Sequence, residues 1–385
     1  MRFAKYEDMP NTDLCAPLLG FDATFALENY RGMGKFVRQL VSAYPGPSIA
    51  FAPDSACSSD VLPWPLIAEG SGSEPYWEQF HLPRLAARYN VDLLLCGFNT
   101  SPIILNCPPT VLVLHDLVFR KPLFPLLQFQ SRRQLAGAVY RRLVAPRAVL
   151  RAAAILTVSE TSRLEICTAY DLPLERVSVV PNTLPEYWFQ SNTKPSPRLF
   201  DERPYVLAVS GSAPSKNLPR LLQAFANAQK SDVFKGVNLL VVGLGQKEKI
   251  RFKNLATAFG IGNRVVLCPR VSDEELRALY RNASLFVFPS IDEGFGIPLL
   301  EAMAVGTPVI CSSIPVFHEI GLRHVSYFDP FSIHDIEKYL IAGLSCRPDC
   351  TALKNATHHA RTYSFNIQKK QITGLFKNII MMHVS

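Results

Sequence analysis

Apolar runs and amphipathic stretches alternate along the chain. Residues 18–23 (LLGFDA), 48–53 (SIAFAP), 91–97 (VDLLLCG), 110–116 (TVLVLHD) and 153–159 (AAILTVS) are short runs rich in aliphatic side chains, and residues 33–44 (MGKFVRQLVSAY) place theirs at helical spacing. Aliphatic runs without polar alternation indicate strands covered on both faces, as in a parallel sheet flanked by helices. Residues 178–182 close this first series. Strands are then expected at 205–211, 237–243, 264–269, 284–290 and 307–313, separated by helices at 217–229, 246–260, 272–283 and 298–306. Such regular βα alternation predicts an α/β fold of two Rossmann-like, doubly wound domains facing a cleft.

Residues 191–204 are polar, hold three prolines and read as a linker. The expected organisation is a first domain over 1–190, a second over 205–364, and a final helix over 365–385 that packs back across the domains. Lys369, Lys370 and Lys377 fall on one side of that helix. The cleft between the halves is the expected ligand site.

A length of 385 residues suits two or three domains. With 48% hydrophobic and 19% charged residues the chain is not a disordered one. The first thirteen residues mix charge signs and lack the apolar core of a signal peptide. The longest charge-free run, 93–114, is broken by Asn99, Pro102, Asn106, Pro108 and Pro109, whereas a membrane span needs about 20 mostly apolar residues. It reads as two short strands and a turn. Nine cysteines stand singly, which fits free thiols in a reducing cytoplasm. Only Cys346 and Cys350 are close, and without a second pair they read as a loop or helix end rather than a zinc site. The net charge of +8 calls for an anionic partner: nucleic acid, an anionic membrane or a phosphorylated substrate.

The most informative string is 290–310, SIDEGFGIPLLEAMAVGTPVI. A strand ends at Ser290, a loop carries Gly294 and Gly296, and a helix starts near Pro298, proline being favoured at a first helical position. Glycines admit a ligand close to the backbone, and the free amides and dipole of a helix start attract an anion. This is a place for a diphosphate without a metal. Glu301, one turn into the helix, can accept from a ribose diol, and Glu293 from sugar hydroxyls. Alternatively the two glutamates are a helix-capping group and a surface residue.

A second strand end, 209–217 (VSGSAPSKN), carries Gly211 in a small-residue loop and Lys216 at a helix start, where the dipole disfavours a cation unless an anion joins it. In the first half, Gly32 and Gly34 follow the first strand beside Arg31 and Lys35. His115 and Asp116 end another strand, where ligand sites of α/β domains gather, although a histidine there is as often structural. No Asp-x-Asp occurs, so a metal clamp on a diphosphate is not indicated.

Together these strings resemble glycosyltransferase family 4, retaining enzymes of the GT-B fold, and within it a bacterial mannosyltransferase-like branch. The resemblance rests on Glu293 and Glu301 with seven residues between them, Pro-x-Lys-Asn at 214–217, Ser-Asp-Glu-Glu-Leu at 272–276, Leu-Tyr at 279–280, His-Asp at 115–116 and Leu-Thr-Val-Ser-Glu at 156–160. It implies transfer of a hexose with retention, mannose from GDP-mannose, to a lipid-linked or envelope glycan in exopolysaccharide or lipopolysaccharide assembly. The alternatives are a UDP-sugar donor or a catalytically silent glycan- or lipid-binding homologue.

The resemblance further implies that Glu301 binds the ribose. Glu293, Gly294, Phe295, Gly296, Ile297 and Leu299 hold the donor, and Lys216 and Gly211 meet the diphosphate. Gly32 and Gly34 approach it from the other domain, and His115 contacts the donor sugar, so that His115, Glu293 and Lys216 form the catalytic set. No metal cofactor is expected; the nucleotide sugar is a co-substrate. One departure stands out: where many relatives carry an arginine beside or shortly before the lysine, this chain has Ser215 and Ser210.

The positive charge is localised. Between Asp116 and Glu160 there are eight basic residues and no acidic one, interleaved with apolar residues. Arg132, Arg133, Arg141 and Arg142 are therefore expected on an acceptor-side surface suited to anionic lipid, with the protein peripheral on the inner face of the cytoplasmic membrane and without a nucleic-acid role. The competing reading is a set of solvated helix faces.

Overall fold

The computed structural model describes residues 16–27, 32–56, 62–120, 132–190, 204–211, 213–346 and 349–384. They form two compact units, one of residues 16–183 with 365–384, the other of residues 184–364. Arg31 and all but the last residue of the expected linker lie outside the described residues.

The first unit is built on seven strands: β1 (Leu19–Asp22), β2 (Ser48–Ala52), β3 (Leu66–Ala68), β4 (Leu93–Cys96), β5 (Thr110–Val113), β6 (Ala154–Thr157) and β7 (Val177–Val179). Their order is β3-β2-β1-β4-β5-β6-β7, with every neighbouring pair parallel. Phe21 pairs with Ala50 on one side and Leu95 on the other, and β1, β2, β4 and β5 are buried along their whole length. That burial explains their unbroken aliphatic sequences. The order reverses between β1 and β4, which makes the crevice beyond their C-terminal ends the natural ligand site of this sheet. Its helices include α1 (Gly32–Ala43), α2 (Leu82–Arg88), α3 (Arg132–Arg151) and α4 (Glu160–Tyr170).

Two expectations need correction here. Residues 93–114 do give two strands, but β4 and β5 are parallel neighbours joined by residues 97–109, because a tight turn joins only antiparallel strands. The stretch between β3 and β4, to which the alternation assigns no element, is helical over Glu74–Tyr76, Trp77–His81 and Leu82–Arg88, the middle piece with π-helical bonding.

The second unit has six parallel strands: β8 (Tyr205–Val209), β9 (Asn238–Val242), β10 (Val265–Cys268), β11 (Leu285–Phe288), β12 (Val309–Ser312) and β13 (Ser326–Phe328), in the order β10-β9-β8-β11-β12-β13. Between them run α5 (Leu218–Ala228), α6 (Gln246–Ala258), α7 (Asp273–Asn282), α8 (Ile297–Ala304) and α9 (Pro315–Gly321), followed by α10 (Ile333–Ser345) and α11 (Cys350–Arg361). Leu221, Leu222 and Phe225 of α5 pack with Val206, Leu239, Val241 and Leu285 of the sheet in one buried core. Ser272 and Glu275 form a reciprocal capping box at the start of α7, which fixes that boundary. Here the order reverses between β8 and β11.

Residues 184–189 belong to this second unit rather than to the first half of the chain. Leu184 N donates to Tyr363 O at 2.9 Å, and the fully buried Trp188 meets the edge of Tyr280 at 6.1 Å. The final helix, α12 (Phe365–His383), is part of the first unit: Thr373 Oγ1 donates to Ala43 O at the end of α1 (2.8 Å), and Phe376 packs edge-on against Tyr44.

Candidate active site

In the second unit the two glycine-bearing strings follow β8 and β11, the neighbouring strands at which the sheet order reverses. They are tied together: Ile291 N donates to Ser215 O at 2.8 Å. A 3-10 turn, Pro214–Lys216, leads into Asn217. Asn217 adopts a left-handed backbone (φ 56°), and its buried amide donates to Pro330 O at 2.8 Å. The turn thus cannot swing away from the sheet, and it delivers Lys216 to the loop after β11. Lys216 Nζ lies 2.6 Å from Glu293 Oε1 and 5.7 Å from the Phe288 ring centre. The lysine side chain is 27% and the glutamate side chain 16% exposed, so neither is sealed from a ligand.

Gly296 caps α8 with φ 112°, a conformation that favours glycine, and a Cβ there would stand 3.0 Å from the Phe317 ring. Phe295 is buried edge-on against Tyr363, so its side chain anchors the loop and only its backbone is available. The side chain of Leu299 is fully buried and its amide donates to Gly296 O at 3.0 Å, so it shapes the helix start. Ile297 and Pro298 form the first turn ahead of it. Glu301 is buried and accepts a hydrogen bond from Tyr280 Oη at 3.0 Å. Burial and the adjacent carboxylate push the Tyr280 hydroxyl well above its usual range, so it stays a donor.

Two hydroxyls just beyond the C-terminal ends of β8 and β11, Ser210 Oγ and the fully buried Ser290 Oγ, have no hydrogen-bond partner among the described residues. A Cβ on Gly211 would meet nothing within 4 Å. The space above this loop is open, and no neighbouring side chain requires the glycine.

In the first unit, His115 follows β5. Its ring is buried, Nε2 lies 3.0 Å from Gly97 O, and Phe36 meets it edge-on at 5.1 Å. A carbonyl only accepts, so Nε2 carries the proton and Nδ1 is the ring's acceptor. Burial lowers its pKa to about 4, so the ring is neutral at pH 7. Its amide donates to Asn99 Oδ1 at 2.7 Å, and Asp116 Oδ1 accepts from Val118 N at 3.1 Å. Gly32 begins α1. Gly34, within that helix, is demanded by the fold itself, since a Cβ would stand 2.3 Å from Phe25 O.

Beyond the ends of β1 and β4 lies a polar cluster that the sequence strings do not reveal. Asp22 accepts from Thr24 N and Oγ1 at 2.9 and 2.6 Å. Glu78 accepts from Thr100 Oγ1, Tyr140 Oη and Gln79 Nε2 at 2.5, 2.7 and 2.8 Å. Burial raises both carboxyl groups, Glu78 to about 7, with the charge of Asp22 adding to the effect. Asp22 at a strand end was the one available sign.

Of the arginines expected on a lipid-facing surface, the side chains of Arg132 and Arg133 lie outside the described residues. Arg141 is half-buried, and Arg142 turns inward, donating through Nε to Phe119 O. Among the described residues no group of three His, Cys, Asp or Glu could hold a metal ion, and no helix is long and apolar enough to cross a membrane.

Comparison with known proteins places this geometry. Residues 189–360 match the family described as "Glycosyl transferases group 1", and residues 34–185 match "Glycosyltransferase Family 4". The O-antigen chain mannosyltransferase RfbU of Salmonella typhimurium is 31% identical over 74% of this chain and 72% of its own length. The serotype-specific mannosyltransferase WbdA of Escherichia coli is 27% identical over 66% of this chain and 31% of its own length. Solved structures share the fold at low identity. WaaG, a glycosyltransferase involved in lipopolysaccharide biosynthesis, has a TM-score of 0.69 at 17% identity over 93% of this chain and 99% of its own. Sucrose-phosphate synthase from Thermosynechococcus elongatus has a TM-score of 0.72 at 18% identity over 95% of this chain and 100% of its own. The chain is a glycosyltransferase of family 4, with the two-domain GT-B fold.

Proposed function

We propose that the protein transfers mannose from GDP-mannose, with retention of anomeric configuration, to a lipid-linked or envelope glycan in polysaccharide assembly. The observation that carries the reading is the placement of Lys216 and Glu293 at the strand reversal beside the start of α8. The names of RfbU, an O-antigen chain mannosyltransferase, and WbdA, a serotype-specific mannosyltransferase, support the choice of sugar, and that of RfbU supports the product class.

Glu301, oriented by Tyr280, receives the ribose hydroxyls. The diphosphate sits over Gly211 and the first turn of α8, and Lys216 leaves Glu293 far enough to neutralise it. Glu293 then accepts from the sugar. The bond between the anomeric carbon and the diphosphate oxygen breaks while the acceptor oxygen bonds to the same face of that carbon. The acceptor proton passes to a departing phosphate oxygen, giving GDP and the glycoside. Catalysis is positioning plus electrostatic stabilisation of the leaving group, with ammonium and amides in place of a divalent cation. The protein works at the inner face of the cytoplasmic membrane, where a lipid-linked acceptor is found.

The test is a panel of nucleotide sugars with purified protein, read by thermal shift and by release of nucleoside diphosphate, with and without EDTA. A ligand at 100 times its Kd stabilises by about 2.7 kcal/mol, so the preferred base is visible. Preference for uridine donors overturns the choice of GDP-mannose, and loss of transfer in EDTA overturns the metal-free account.

A further inference from the structure

Helix α3 is apolar on two opposite faces. Its inward face holds Ala138, Val144, Ala145, Ala148 and Val149, all buried. Its outward face carries Val139, Leu143, Pro146 and Leu150, the three aliphatic side chains being 42%, 63% and 73% exposed. Positions 139, 143, 146 and 150 recur at helical spacing and form one stripe. Single exposed leucines are ordinary on a protein surface, but a contiguous apolar stripe along a helix marks a surface that something covers. At the C-terminal end, Arg151 donates to Ile103 O, which brings the loop bearing Ile104, 57% exposed, alongside the helix.

We propose that this stripe is the membrane-docking face of the first unit. Val139, Leu143, Pro146 and Leu150 enter the interface of an anionic bilayer, and Arg147 meets its headgroups. The proposal deepens the membrane-side reading above and changes its residues, since Arg142 points inward and the aliphatic stripe takes its place.

Charge selects the occupant. Residues 117–159 contain no acidic side chain, and the exposed Arg147 stands next to Pro146 in the stripe. A second copy meeting this face about a two-fold axis would set arginine against arginine with no carboxylate from this segment between them. Nucleic acid would satisfy the arginines but leave the leucines against a phosphate backbone. A bilayer with anionic headgroups takes both, the leucines in the acyl boundary and the guanidinium groups at the surface.

The experiment is flotation of the full chain with phosphatidylcholine vesicles, with and without phosphatidylglycerol, for the wild type, the double variant Leu143→Gln/Leu150→Gln, and Arg147→Gln. The wild type should float with phosphatidylglycerol vesicles. The double variant should bind them about tenfold or more weakly with every arginine still present, since two buried leucines supply most of the insertion energy. Arg147→Gln should weaken binding less. Melting temperature and donor hydrolysis should be unchanged in all three, which separates a failure of docking from a failure of the transfer reading. Undiminished flotation of the double variant overturns the proposal. So does sedimentation showing a dimer that this variant dissociates, which would assign the stripe to a second copy.

Discussion

The Lys216 ammonium and the Glu293 carboxylate meet at 2.6 Å although 76 residues separate them in the chain. The pair joins the loops after β8 and β11, and it holds the cation at the strand reversal before any anion arrives. Exposure of 27% and 16% leaves it within reach of water, so its contribution to stability is under about 1 kcal/mol.

That contrast sets the first prediction. Lys216→Met should lower kcat by about a hundredfold or more, the usual scale for removing a group that stabilises developing charge, with melting temperature almost unchanged. Steady-state kinetics beside a thermal melt checks it. A kcat within a few-fold of wild type would remove Lys216 from the leaving-group role.

Tyr280 acts through Glu301. Its hydroxyl donates to Oε2 at 3.0 Å from a fully buried ring, so the carboxylate is held in one orientation. Tyr280→Phe should raise the donor KM several-fold with little change in kcat, and should cost on the order of 1 kcal/mol in stability. Glu301→Ala should raise the donor KM further. Equal loss of kcat and gain in KM in Tyr280→Phe would show the hydroxyl to be structural support only.

Most of both sheets and the second unit's loops were legible because their signals are local, whereas the edge strands β3 and β13, three residues each, are too short to carry one and were missed. Val, Leu and Ile runs mark buried parallel strands, and glycine with proline marks a strand-to-helix turn wherever it falls. Glu78 was not legible. Its partners Thr100 and Tyr140 stand 22 and 62 residues away, and its helical stretch changes period at Trp77–His81, which blurs a 3.6-residue pattern. The direction of a side chain was equally hidden. Composition gives Arg142 its charge but not the Phe119 carbonyl that turns it inward, and the string at 290–301 gives Leu299 its place but not the bond that occupies its amide.

Two glycines that look alike in sequence should respond in opposite ways. At Gly34 an added Cβ meets Phe25 O at 2.3 Å, and backbone cannot yield cheaply, so Gly34→Ala should lose about 2 kcal/mol. At Gly211 a Cβ enters open space, and Gly211→Ala should hold or slightly raise stability. If the diphosphate sits over this loop as proposed, the same methyl stands in its path and donor affinity should fall. Denaturant melts and donor titration on both variants give the comparison. Full donor affinity in Gly211→Ala would mean that the open loop does not serve the ligand.

The last prediction concerns two buried groups whose pH effects oppose each other. Glu78 titrates near 7 in the folded chain against an ordinary 4.5, so the folded state holds an extra proton between those values and stability falls as pH rises through them. His115 titrates near 4 against an ordinary 6.5, so the unfolded state holds the extra proton and stability falls as pH drops from 6.5 to 4. Each term has a slope of about 1.4 kcal/mol per pH unit, and their windows overlap. Between about pH 4.5 and 6.5 they nearly cancel. Single variants uncouple them. The stability difference between Glu78→Gln and wild type should climb toward the variant as pH rises from 4.5 to 7, and that between His115→Gln and wild type should climb toward the variant as pH falls from 6.5 to 4. Urea denaturation at a series of pH values measures both. Two flat difference curves would mean that neither group is as deeply desolvated as its burial requires.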